Sequence, residues 1–239
     1  MRVTLLVAGG AAGEPSCYSR LTNEWFCWQY VVDRHDEIRS ATVEHLQITV
    51  AAVLLGVLIA FPLALLARGV PRLETAIVGT STMLYTIPSL ALLPLLVPFT
   101  GLSATTVVIG LALYALTILV RSMLEGLRGV PAEVRESAAG LGYGPARRLL
   151  RVELPLALPV LMAGLRVATV STVALTTVGT IVSYGGLGDL ISDVVLTNFR
   201  AELLTASVLC VVLAVVLDLV IVGVQWLATP WARAGRAAR

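Results

Sequence analysis

The groups able to do chemistry in these 239 residues are few: two histidines, three cysteines, fifteen carboxylates and seventeen arginines, with no lysine at all. Without lysine there is no Walker A loop, whose lysine must reach the β- and γ-phosphates of a nucleotide, and no Schiff-base nucleophile. His35 and His45 both precede the first long apolar run and have no third ligand beside them, which argues against a metal centre and against an intramembrane hydrolase. Two charges, Arg166 and Asp218, fall inside apolar runs. Ionised side chains at such depth are costly and tend to face a bundle interior and pair. At 1.5 Å per residue they stand ~13 Å and ~15 Å from the same end of consecutive antiparallel helices, so an ion pair between them is expected. Cys17 and Cys27 suit a disulfide in an oxidising compartment. A continuous helix between them would hold the sulfurs ~15 Å apart, so a bridge requires a turn near Asn23. Cys210 reads as a small apolar residue.

The elements that must position these groups are set by composition. The chain is 57% hydrophobic and only 13% charged, where a soluble domain carries about 25% charge; mean hydropathy is +0.89. Five runs, 47–66, 76–99, 103–120, 157–181 and 204–228, reach the roughly 20 apolar residues a spanning helix needs. The expected fold is all-α, a polytopic membrane protein with five transmembrane helices. Residues 1–46 form an extracytoplasmic segment with Trp25, Phe26, Trp28 and Tyr30 suited to the outer headgroup layer. Residues 47–228 form the transmembrane domain, with a loop at 121–156, and residues 229–239 form an arginine-rich tail. Eleven arginines fall on one side (Arg68, Arg72, Arg121, Arg128, Arg135, Arg147, Arg148, Arg151, Arg233, Arg236, Arg239) and five on the other (Arg2, Arg20, Arg34, Arg39, Arg200). The positive-inside rule then puts the N-terminus outside and the C-terminus in the cytoplasm. Residues 1–13 are a poor imitation of a signal peptide and too short to span.

The loop at 121–156 carries the most information. From Pro131 the pattern is helical and is closed by Gly140, Gly142, Gly144 and Pro145. A second short helix is expected over 146–152, ending at Pro155, so that two helices hinged at glycines form a compact knob. Glu133, Glu136 and Glu153 read as solvated. Elsewhere, Pro88 interrupts the second run and is expected to leave the Leu84 carbonyl without its partner. Tyr85 and Ser89, four apart, would share a helix face. Such breaks persist where they line a cavity or are buried in protein, so Tyr85, Ile87, Pro88 and Ser89 are candidates for a translocation path. Tyr114 and Tyr184 could join Tyr85 in a transient site.

The same loop resembles the coupling motif of ABC importer permeases: E-A-A, three residues, G, nine residues, I-x-L-P. Glu136, Ser137 and Ala138 stand for the E-A-A, Gly142 for the glycine, and Val152, Leu154 and Pro155 for the end. T-I-P-S-L-A at 86–91, Y-G-G-L-G-D at 184–189 and P-L-A-L-P-V-L-M-A-G-L-R at 155–166 resemble osmoprotectant (glycine betaine, carnitine, choline) uptake permeases. The resemblance covers about residues 40–230 and implies the five-helix core of type I importers such as the methionine permeases. It implies ABC ATPase subunits that hold ATP and Mg, with no cofactor in this chain. It also implies a second permease subunit (a paralogue or another copy), an extracytoplasmic substrate-binding protein, and a multi-pass place in a bacterial cell membrane. In that family Tyr184, Gly185, Gly186, Gly188 and Asp189 would lie at the outer gate; the alternative is an ordinary tight turn before a surface helix, and the three glycines favour the gate. No catalytic residue and no nucleic-acid partner are expected. Two other readings remain open: an importer for methionine or another amino acid, and an ion-coupled secondary carrier motivated by Arg166 and Asp218.

Overall fold

Residues 16–17 and 22–231 are described by the computed structural model. The stretch at 1–13 and the arginines of the tail beyond residue 231 lie outside the described residues. Helix α1 (Trp28–Asp33) leads at Arg34 into α2 (His35–Gly69), which has 35 residues and begins well before the apolar run expected at 47–66. Helix α5 (Ala104–Arg128) is the most buried and packs against α2 and against α8 (Leu154–Thr176). The close approach of α2 comes from Ala52, Gly56, Ala60 and Ala64, a small residue every fourth position. The three alanines are fully buried, and a Cβ on Gly56 would come 3.1 Å from Leu119 and 3.3 Å from Ala115 of α5. Gly164 of α8 packs on Ser122 of α5 in the same way. Membrane helices share no solvent-driven attraction, so small residues that admit dense packing decide which faces meet.

The second expected span is two helices, α3 (Pro71–Thr86) and α4 (Ser89–Thr100), bent by 102° at Ile87 and Pro88. Four helices are long and apolar enough to cross a bilayer, and the bent pair makes a fifth crossing if it counts as one span. Ion pairs bear on that count. Arg68, in the last turn of α2, pairs with Glu153 just before α8, and Glu74, in the first turn of α3, pairs with Arg128, the last residue of α5. The end of α2, the start of α3, the end of α5 and the start of α8 therefore gather at one end of the bundle, called here the coupling end. Helix α5 has 25 residues, about 37 Å, and only residues 101–103 join it to α4. The bent pair thus runs from the coupling end to the opposite, distal end.

Between α5 and α8 lie α6 (Ala132–Gly140), α7 (Pro145–Arg148) and a π-turn at Leu149–Glu153. The expectation that a second short helix stops at Pro155 is corrected: the helix continues through the proline into α8. Proline has no N–H and its ring crowds the carbonyl four residues back. Here the Leu154 N–H bonds to the Leu149 carbonyl, five residues back, and this wider turn carries the chain past the ring. After α8, a 3₁₀ stretch (Thr177–Val182) and a turn lead to α9 (Leu187–Thr197) and the peripheral α10 (Arg200–Ala228). At the distal end Cys27, Tyr30 and Ile38 pack with Leu187, Leu190 and Ala201.

Candidate coupling site and translocation path

The spacing from Glu136 to Gly142 has a local physical cause. Helix α6 ends with the Gly142 N–H bonded to the Ala139 carbonyl at 2.9 Å and the Tyr143 N–H bonded to the Ala138 carbonyl at 3.1 Å. This is a Schellman motif with Gly142 in the left-handed position, at φ +81°. A Cβ on Gly142 would meet open space, so backbone conformation and not crowding calls for glycine. Ala138 is buried under the turn, in a groove also lined by Ser137, Tyr143 and Val152. Leu141 stands exposed at the tip, and the Arg147 guanidinium lies 4.8 Å above the Tyr143 ring, holding α7 against the turn. Glu136 is exposed and makes no ion pair among the described residues.

Glu153 was expected to be solvated, and the structure corrects this. It is 1% exposed and sits between two guanidinium groups, Arg148 at 2.9 Å and Arg68 of α2 on its other oxygen. The π-turn places it there. One buried carboxylate thus joins the knob, through α7, to the first long helix. Nothing in its neighbours' hydropathy marks it; only the match of charge across 85 residues of sequence does.

The break at Ile87 and Pro88 also differs from expectation. The Leu84 carbonyl keeps a partner, the Ile87 N–H at 3.2 Å, and the Tyr114 hydroxyl donates to the Ile87 carbonyl. Tyr85 and Ser89 lie on different helices across the bend and share no face. Tyr85 is 47% exposed and meets Tyr114 edge to face at 5.7 Å between centroids. Tyr184 is not brought to them; it packs with Ile48, Leu93, Val107 and Leu111.

The turn at 184–189 is built by close approach. Added Cβ atoms on Gly185, Gly186 and Gly188 would come within 2.6 Å of Thr180, 2.7 Å of His45 and 2.3 Å of Thr177. Gly186 also has a positive φ, +56°. Asp189 closes the turn by accepting the Gly185 N–H at 3.1 Å. The ring of His45, set aside on sequence grounds because it precedes the apolar run, is fully buried against this turn.

Arg166 and Asp218 meet in a two-point contact, Nε to Oδ1 at 2.6 Å and Nη2 to Oδ2 at 2.7 Å. Cys17 and Cys27 are joined in a disulfide across a Cα–Cα distance of 5.7 Å. Asn23 between them has a positive φ of 41°. Its side chain donates to the Asn198 carbonyl at 2.8 Å and accepts the Arg200 N–H at 3.0 Å, tying the residues before α1 to the corner between α9 and α10.

Comparison with known proteins agrees with this geometry. The choline transport system permease protein OpuBB of Bacillus subtilis (strain 168) is 34% identical over 203 residues, covering 84% of this chain and 93% of that protein. The osmoprotectant import permease protein OsmW of Salmonella typhimurium is 32% identical over 206 residues, covering 84% and 96%. The carnitine transport permease protein OpuCB of Listeria monocytogenes is 34% identical over 190 residues, covering 79% and 87%. Among solved structures, the MetNI methionine ABC transporter in an inward facing conformation superposes with a TM-score of 0.73 at 22% identity, over 80% of this chain and 95% of that one, a likeness of fold alone. Residues 52–233 match the family of binding-protein-dependent transport system inner membrane components, and the chain, an all-helical permease subunit of an ABC importer, belongs to that family.

Proposed function

We propose that this subunit forms the translocation path for a quaternary-ammonium compatible solute such as choline, carnitine or glycine betaine, and takes its driving force from separate ATPase subunits. The observation that carries the reading is identity of 34% over 203 residues with a choline permease. The coupling end faces the cytoplasm in this reading, as the arginine distribution requires. The exposed Leu141 tip and Glu136 then meet the ATPase, which holds ATP and Mg, while the distal turn at 184–189 faces the extracytoplasmic binding protein. One five-crossing bundle does not enclose a gated path, so a second permease subunit, a paralogue or another copy, completes it. The path candidates are Tyr85, Ile87, Pro88 and Ser89 at the bend and the turn from Tyr184 to Asp189. Methionine is supported only by likeness of fold, and an ion-coupled carrier has no use for the knob.

The test is uptake by proteoliposomes holding the complete complex, with ATP inside and the binding protein outside. ATP-dependent accumulation of radiolabelled choline, carnitine or glycine betaine, unaffected by excess methionine, is the expected result. Uptake driven by an ion gradient with the ATPase omitted would sink the reading.

A further inference from the structure

His45 lies one turn from Thr49 on α2, and its fully buried ring reaches two other segments. Its Nε2 stands 3.0 Å from the Val173 carbonyl of α8, and its Nδ1 stands 3.3 Å from the Gly185 carbonyl of the distal turn. One turn deeper, Thr49 Oγ1 and Thr176 Oγ1 hydrogen-bond at 3.0 Å across the same two helices. Against the backbone of His45 rests Gly186, so close that a Cβ there would come within 2.7 Å of the His45 nitrogen. The turn, the distal part of α8 and the distal part of α2 therefore meet at one imidazole.

We propose that His45 is a positioning residue for transport: it fixes the 184–189 turn to α2 and α8 so that the distal mouth moves as one body. A buried ring with carbonyl oxygens at both nitrogens is specified by polar contacts, not by shape. A neutral imidazole donates from one nitrogen only; assigned to Nε2, where the contact is shorter, that bond ties α2 to α8 through Val173, while the turn is held by the seat of Gly186 on the His45 backbone. Phenylalanine would fill the space and hold neither carbonyl. The transport role rests on the permease reading given above; the tie itself does not.

Two experiments test it. In the reconstituted complex with choline as probe, His45→Phe is expected to insert and retain its ATPase subunits. Its maximal uptake should fall about tenfold, as loss of one buried hydrogen bond would give, with half-saturation unchanged. His45→Gln, which keeps an N–H donor, should regain most of the loss. Parent-like uptake by His45→Phe, or no recovery in His45→Gln, overturns the proposal. The second experiment needs neither transport nor a substituted ring at 45. The chain has two histidines, so His35→Gln leaves His45 alone, and ring-¹⁵N NMR in bilayers should show an Nε2–H that exchanges slowly with water. A ring in fast exchange overturns the tie even if transport proceeds. A complex whose parent chain shows no ATP-driven uptake refutes the permease reading and leaves the NMR result to decide the tie.

Discussion

A carboxylate buried between two guanidinium groups cannot be removed without leaving charge behind. Taking Glu153 to Ala leaves Arg68 and Arg148 facing each other. The guanidinium groups left behind are 19% and 32% exposed, so the cost lies between the ~1 kcal/mol of an exposed pair and the ~3 kcal/mol of a fully buried one, and thermal unfolding of the detergent-solubilised protein should show that loss. A change below about 1 kcal/mol, the range of exposed pairs, would mean that water reaches the site. Adding Arg148→Ala to Glu153→Ala should recover part of the loss, because one uncompensated charge goes with it. The same reasoning applies to Arg166 and Asp218, whose two-point contact joins α8 to α10. Their side chains are 40% and 25% exposed within this single chain, so the pair sits at the surface of the bundle and not in the interior where it is expected. Either single alanine variant should insert and accumulate less well than the double variant. Simple additivity of the two effects would defeat the idea that the pair locks the helices.

At the scale of the element, the coupling turn depends on Gly142 adopting a left-handed conformation. Gly142→Ala puts a Cβ where L-residues lose roughly 1–2 kcal/mol while touching nothing. The variant should insert normally yet lose several-fold in uptake and in ATPase co-purification. Gly140 makes a clean control, since it also faces open space but ends a helix with an ordinary φ. Gly140→Ala should transport like the parent; equal damage from both would show that flexibility, not handedness, is what the turn needs. This turn was legible in the sequence because a Schellman motif is local: six residues fix it. The apolar runs were legible too, since burial in lipid acts on each residue separately. The misreadings share one cause. Pro155, Glu153 and His45 each take their structure from a partner far along the chain or from a change of helical register. Hydropathy starts the first span at Gln47 because His45 and Glu44 are polar, whereas the helix begins at His35, and the buried His45 ring finds its partners on α8 and the distal turn, more than a hundred residues away. The 102° bend was half legible: Pro88 marked its place, and the extended Ile87 before it, capped by the Tyr114 hydroxyl, set its size.

For the whole molecule, the ion pairs make the number of crossings a testable prediction. If α3 and α4 traverse, Val70 (between α2 and α3) and Leu102 (between α4 and α5) lie on opposite sides of the membrane. If they form a re-entrant hairpin, both lie on one side, and the arginines around Arg68 and those of the 121–156 loop are divided between two compartments. The pairing of Glu74 with Arg128 and of Arg68 with Glu153 forbids that division, since each pair must share an end. Single cysteines at Val70, Leu102, Leu141 and Val195, all exposed, report the four connections in turn. Cys210→Ala removes the one free thiol among the described residues, and Cys17 and Cys27 stay bridged. With an impermeant maleimide on intact cells, Leu102→Cys and Val195→Cys should label from outside, and Val70→Cys and Leu141→Cys only after permeabilisation. Labelling of Val70→Cys and Leu102→Cys from the same side would make the bent pair re-entrant. It would also put the ends of α2 and α5 in different compartments, which no rearrangement of side chains can reconcile with the two ion pairs.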